Sequence, residues 1–254
     1  MSMKINVYSD SYVPETNYIK LVVSTIKEKG IFFLLTKILN FLEVKFIISS
    51  RFFRSYKSIQ TFLYEGESMR YFCHDYNTTW INERAVEVPI ILDYIRQHRH
   101  ERILEVGSVL THYTHVAWDV LDKFEKRNRT INEDIETFKP SKKYDFIVCI
   151  STLEHIGFDD DIVDPVKISR ALNNIKKNCL TENGTMVATI PIGYNKALDK
   201  SIFSKQVVFD KMFYLKKISR YNNWEQTDEK SVMNLKYGTP FLSANGIIIA
   251  LLRN

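Results

Sequence analysis

The sequence predicts an α/β fold on a largely parallel sheet, preceded by a basic and apolar helical region. Three observations carry this. From Arg102 onward, short apolar runs alternate with polar loops, the pattern of strands separated by connections. Between two of those runs, "DPVKISRALNNIKKNCL" places Val166, Ile168, Leu172, Ile175 and Leu180 near helical spacing behind an Asp164-Pro165 start signal. Strands that alternate with helices become parallel neighbours. Finally, 254 residues with 45% hydrophobic and 26% charged content suffice to bury a core without disulfide staples. The three cysteines, Cys73, Cys149 and Cys179, are odd in number and too scattered for a disulfide framework or a CxxC metal site. Reduced intracellular thiols are therefore expected, with Cys149 a buried structural thiol inside its apolar run.

The chain begins with "MSMKINVYSDSYVPETNYIK", which has charges and a proline where a secretory signal needs an apolar core. Residues 30–49, "GIFFLLTKILNFLEVKFIIS", are dense in Phe, Leu and Ile, but Lys37, Glu43 and Lys45 interrupt them. A spanning helix needs roughly 20 nearly uncharged residues. The segment is open between an amphipathic helix packed on the main domain and an element at an anionic membrane surface. From Met1 to Leu63 there are nine basic residues against four acidic, which is the whole +5 excess of the chain. The remainder is balanced, so a nucleic-acid groove over the main body is not expected. Residues 1–76 are assigned to a helical extension and 77–254 to the α/β domain. The expected location is cytoplasmic, with peripheral membrane contact left open.

Next comes a helix with Ala85, Val86, Val88, Ile91, Leu92 and Ile95 as its apolar stripe, Asn77, Thr78 or Thr79 as candidate caps, and Pro89 as a kink or fresh start. Glu83 and Arg84 beside it read equally as surface charges or as ligand-facing groups. Five β-type runs follow: "RILEVG", "VAWDVLD", a weak one around Ile131, "YDFIVCIS", and "GTMVATIP", opened by the turn "ENG". The chain closes with Asn245-Gly246 before "IIIALL", which predicts a terminal hairpin.

In such a sheet, ligand groups come from the carboxyl ends of strands. The first end presents Glu105, Gly107 and a polar loop with Ser108, Thr111, His112 and Tyr113; the second presents Asp122. An ionised carboxylate suits a cis-diol because it accepts from both hydroxyls. The third end carries Glu133, Asp134 and Ile135, an acidic-then-aliphatic step suited to an exocyclic amine and a purine face. The fourth leaves through Ser151 and Thr152.

The order "ILEVG", "VLD", "EDIETF", "YDFIVCISTLEHIG", "NGTMVATIP" resembles the class I S-adenosylmethionine-dependent methyltransferases of the small-molecule type, over roughly residues 77–254. The resemblance implies a Rossmann-like seven-stranded sheet, mostly parallel with an antiparallel last strand, and helices on both faces. It implies S-adenosyl-L-methionine as cofactor, with Glu105 and Gly107 organising the first loop and Asp122 on the ribose hydroxyls. Asp134 and Ile135 would hold the adenine, and the backbone near Ser151 would meet the methionine amino group. The departure is the first loop, which lacks the later glycines; Ser108, Thr111 and His112 would substitute side-chain donors. The opposing reading is a methyltransferase-like scaffold whose loop no longer binds cofactor.

For catalysis, His155 is the first candidate general base and Glu154 a weaker one, against a structural role for the histidine in bracing its turn. The run "FDDDIVD" fits no EF-hand spacing and reads as a solvated helix start, so no metal is expected. Tyr113, Tyr194, Asn195 and Arg220 are candidate substrate contacts. Aromatic faces with Asn and Arg suit a sugar, so the expected reaction is O-methylation of a saccharide, lipid-linked glycan or similar small polar acceptor.

Overall fold

The computed structural model describes residues 43–254 together with Ile31 and Leu35, and the chain divides into two compact units, Met1–Ser50 and Arg51–Asn254. In the first, a π-helical turn spans Val44–Ile48. Most of the Gly30–Ser49 segment expected to meet either the main domain or lipid lies outside the described residues. Among the described residues no helix is long and apolar enough to cross a membrane.

The second unit starts with helix α1 (Arg51–Ser58) and a hairpin of β1 (Thr61–Tyr64) and β2 (Glu67–Arg70). The boundary drawn at 76/77 falls inside this unit, and residues 61–70 are strand rather than helix. The reason is local. Glu65 and Gly66 both take positive φ, 50° and 83°, which is the two-residue turn that matches strand twist. Phe62 and Tyr64 point inward while Thr61 and Leu63 face out.

The main sheet has eight strands in the order β5-β4-β3-β6-β7-β10-β8-β9. They are β3 (Ile103–Val106), β4 (Asp119–Leu121), β5 (Thr130–Ile131), β6 (Tyr144–Ile150), β7 (Leu180–Pro191), β8 (Lys211–Lys217), β9 (Trp224–Thr227) and β10 (Gly246–Arg253). Strands β3 to β7 pair in parallel. β10 runs antiparallel to both β7 and β8. This is the expected mostly parallel sheet with an antiparallel last strand, extended by β9, which pairs antiparallel with β8 at the edge.

Two expectations are corrected. The last strand forms no terminal hairpin, because the residues before it make a loop gathered on Asn245, whose Nδ2 donates to the carbonyls of Lys236, Phe241 and Ser243. β10 is instead inserted between β7 and β8. β7 also starts before its "ENG" turn: its pairing jumps from Tyr144–Leu180 to Phe146–Thr185, so residues 181–184 bulge out of the ladder.

The sheet is covered on both faces, which is why its central strands are almost continuously apolar. Ile147 and Cys149 of β6 face a cluster with Ile168, Ala171, Leu198 and Ile202, from α3 (Lys167–Asn174) and α4 (Lys196–Phe203). The preceding helix, α2 (Arg84–Gln97), covers the other face with the β1–β2 hairpin. None of Asn77, Thr78 and Thr79 caps α2. Asn77 and Thr78 sit at positive φ, 57° and 46°, in the turn before it, and the Thr79 hydroxyl donates to the Phe72 carbonyl at 3.0 Å.

Candidate functional site

The strand order reverses between β3 and β6, and crevices at such a switch point are where open α/β sheets bind ligands. A cavity of about 360 Å³ lies there, walled by Gly107, Ser108, Asp122, Asp134, Ile135 and Ser151 from the ends of four strands. Its size falls in the range of small-ligand sites. Gly107 has φ +84°, and a Cβ placed on it would lie 2.2 Å from Thr152 Oγ1. The first loop can approach the end of β6 only because this residue is glycine.

Fully buried Glu105 shapes that loop from below. Its Oε1 accepts the Leu110 N–H at 2.7 Å and its Oε2 accepts Trp118 Nε1 at 3.2 Å. Burial pushes its carboxyl up to about 7, against the pull of those donors. Thr111 does not line the cavity; its hydroxyl donates to the Ser108 carbonyl at 2.6 Å and tightens the loop.

At the second strand end, Asp122 Oδ2 accepts from Ser108 N at 3.0 Å and Oδ1 from the N–H groups of Phe124 and Glu125 at 2.9 and 2.8 Å. The Ser108 hydroxyl lies 3.2 Å from Asp122 Oδ2 and 2.5 Å from Glu125 Oε2. Two carboxylates therefore stand at this edge, and the second was not anticipated. Its signal was the D-x-x-E spacing after the strand. His112 lines the cavity as expected, with Nδ1 2.8 Å from Arg127 Nη2 and Nε2 3.2 Å from Glu125 Oε2, and it stacks on Tyr76 at 4.4 Å.

At the third end, two lysines meet two aspartates. Lys123 reaches Asp134 and Asp160 at 3.1 and 2.6 Å, and Lys167 reaches the same pair at 2.6 and 2.5 Å. Asp160 is thus tied into the cavity wall, not solvated at a helix start as the sequence suggested. Asp164 does start the helix, accepting from Val166 N at 3.0 Å. Among the described residues no group of three or more His, Cys, Asp or Glu is placed to hold a metal ion.

The fourth end opens onto a second set of groups. Ser151, at φ 39°, donates its hydroxyl to Glu87 Oε1 at 2.6 Å, and Glu87 pairs with Arg84. Neighbouring Glu83 accepts from the Tyr237 hydroxyl at 3.2 Å and Ala244 N at 3.1 Å. Of the residues left open between surface and ligand-facing roles, Glu83 is buried and Arg84 is part-buried with its guanidinium on Glu87. Glu154 is 1% exposed, and its Oε2 has no hydrogen-bond partner. His155 lines the cavity, with Nδ1 2.5 Å from Asp159 Oδ2 and Nε2 3.6 Å from Glu154 Oε1.

Of the four expected substrate contacts, Tyr194 packs edge-on to His155 at 4.8 Å and to Tyr237 at 5.4 Å. Tyr113 sits in a ring cluster with Phe72, His74 and Tyr76. Asn195 is buried and structural: its Oδ1 caps α4 at Ala197 and Leu198, and its Nδ2 donates to the Glu154 carbonyl. Arg220 is exposed in the β8–β9 turn and does not line the cavity.

No protein-family model matches the chain, and no curated protein matches it. Among solved structures, it is similar to the N-methyltransferase NodS from Bradyrhizobium japonicum WM9 in complex with S-adenosyl-L-homocysteine, at 13% identity and a TM-score of 0.38, over 65% of this chain and 88% of that one. It is also similar to CalS10, an amino pentose methyltransferase from Micromonospora echinaspora, at 18% identity and a TM-score of 0.29, over 39% and 47% of the two chains. A third is the 1,6-didemethyltoxoflavin-N1-methyltransferase of Burkholderia thailandensis, at 11% identity and a TM-score of 0.36, over 66% and 78%.

Proposed function

We propose that this protein is an S-adenosyl-L-methionine-dependent methyltransferase. The observation that carries the reading is the switch-point cavity, where Gly107, Asp122, Asp134 with Ile135, and Ser151 converge from four consecutive strand ends. The residues fit the cofactor. Asp122 and Glu125 offer acceptors for two ribose hydroxyls once the Ser108 hydroxyl commits to one of its two carboxylate partners. Buried Ile135 gives an adenine an apolar face, and Asp134 an acceptor for its amino group. The Gly107 backbone makes room for the aminoacyl portion. When bound, this cofactor supplies an electrophilic methyl group on sulfur.

The chain's own contribution to transfer is alignment, since holding nucleophile and methyl in line carries much of the catalysis. For methylation of a hydroxyl, His155, which lines the cavity, is the base we assign. Its Nδ1 is engaged by Asp159, which leaves Nε2 as the proton-accepting nitrogen. The acceptor we favour is a saccharide or lipid-linked glycan, supported by the rings of Tyr194 and Tyr237 beside the carboxyls of Glu83 and Glu87. The basic, apolar Gly30–Ser49 segment would hold a cytoplasmic enzyme at an anionic membrane surface.

Calorimetric titration with S-adenosylhomocysteine tests the reading. Micromolar binding that weakens at least about tenfold, or about 1.4 kcal/mol, in Asp122→Ala and measurably in Glu125→Ala is expected. A folded protein that binds nothing is instead a scaffold.

A further inference from the structure

Beyond the cofactor cavity, the groups around Glu154 form one constellation with a single unmet demand. Its neighbours are Glu83, Arg84 and Glu87 from the start of α2, together with Tyr194, His155 and the buried Cys149. The electrostatic neighbours of Glu154 include Glu87, Arg84 and Glu83, and those of Tyr194 include Glu154. Tyr237 ties the set together through Glu83 at 3.2 Å and Tyr194 at 5.4 Å. Asp159, on Nδ1 of His155, completes the rim.

Three carboxyls face one guanidinium here. Arg84 is committed to Glu87. Although burial works against it, Glu83 is held below the usual carboxylate range by Arg84 and by Lys217 on its far side. Glu154 has no lysine or arginine in contact, only His155 Nε2 at 3.6 Å from its Oε1. Burial raises its carboxyl well above the usual range, with Glu87 and Glu83 adding to the rise and Arg84 opposing it. Its Oε2 is the one buried side-chain polar atom among the described residues without a hydrogen-bond partner. Leaving such an atom unpaired costs about 1–3 kcal/mol, so an acceptor that supplies a donor there recovers that cost.

We propose that Glu154 is the acceptor-recognition group of the methyltransferase read above, and that the acceptor presents a basic nitrogen to it. A hydroxyl would supply a donor but no charge. A nitrogen cation answers both the orphan oxygen and the excess of carboxyls, and the tyrosine rings suit a cation as well. On arrival of an ammonium group, the protonated Glu154 gives its proton to solvent and pairs as a carboxylate. Glu154 then takes one proton from the nitrogen, whose freed lone pair would form the N–C bond as the C–S bond breaks with its electrons left on sulfur. The inference rests on the cofactor reading but is separable from it.

The test compares S-adenosylhomocysteine with sinefungin, the cofactor analogue that carries a primary amine where the cofactor carries its S-methyl group. Calorimetry in two buffers of different ionisation enthalpy reads affinity and proton release together. Sinefungin is expected to bind at least about tenfold tighter than S-adenosylhomocysteine and to release close to one proton, whereas S-adenosylhomocysteine releases none. In Glu154→Gln, an isosteric change whose folding is checked by thermal melting, the affinity ratio falls to near one and the proton release disappears. If that variant does not fold, the proton release of the unmodified protein alone decides. Equal affinities with no proton release overturn the proposal and leave the cofactor reading standing. If neither ligand binds, both fall.

Discussion

Gly107→Ala should be among the most damaging single-methyl additions available to this protein. The residue sits at φ +84°, and a Cβ would meet Thr152 Oγ1 at 2.2 Å, Cγ2 at 2.9 Å and Cβ at 3.0 Å. Left-handed backbone costs an L-residue roughly 1–2 kcal/mol. Forcing a methyl into the Thr152 side chain adds roughly 1–3 kcal/mol, for a total of about 2–5 kcal/mol. Thr152→Ala removes the two closest contact atoms. In that background Gly107→Ala should therefore cost only the backbone part, leaving a coupling energy of about 1–3 kcal/mol. Urea unfolding of the four proteins measures it, and thermal melting should follow at about 2–4 °C per kcal/mol. A single variant that loses less than about 1 kcal/mol, or a double variant with no relief, would refute the view that close packing of the first loop on the end of β6 is what demands a glycine.

Two further outcomes concern ionisation. Between pH 4.5 and about 7, Glu105 is protonated in the folded protein and ionised in the unfolded chain, so its contribution falls as pH rises, by up to about 3 kcal/mol at pH 7. Glu105→Gln should flatten that part of the stability profile relative to the unmodified protein, and two parallel curves would contradict it. Asp134 and Asp160 behave oppositely. Burial raises Asp134, but the hydrogen bonds from Lys167, the Glu136 N–H and Lys123 together outweigh it, and Lys123 and Lys167 together lower Asp160. The stability they contribute is present above 3.8 and is lost as pH falls through their lowered folded values. Lys167→Ala should cost about 1 kcal/mol at low salt and neutral pH and should weaken the acid-side loss; an unchanged acid limb in urea midpoints would sink this account.

The parallel half of the sheet was legible because each strand is a short apolar run stopped by polar residues at its carboxyl end, and those ends are also where the cavity forms. Gly107, Asp122, Asp134, Ile135 and Ser151 could be named for that reason. What arrives from other elements was not legible. Lys123 and Lys167 meet Asp134 and Asp160 only through the fold. Glu87 looks like an ordinary first-turn acid between members of the α2 stripe, although a carboxylate flanked by Val86 and Val88 was a signal that something inside must pair with it. β9 escaped notice because "WEQT" is short and half polar, as a sheet edge should be. Asn195 and Arg220 were named for side-chain chemistry alone, which does not distinguish a helix cap or an exposed turn from a ligand contact.

The insertion of β10 between β7 and β8 has a consequence for how the chain is made. Synthesis proceeds from the amino end, so β7 emerges with one edge paired to β6 and the other bare, and β8 follows with only the short edge strand β9 to join. The gap between them stays open until residues 246–253 leave the ribosome, when one strand, apolar up to Arg253, closes two ladders at once. For the intervening stretch of translation, the nascent protein carries an open, apolar sheet edge of the kind that other chains can pair with. Strand β10 is therefore the one that ends the exposure, and yield in the cell should depend on residues 246–253 more steeply than their number suggests.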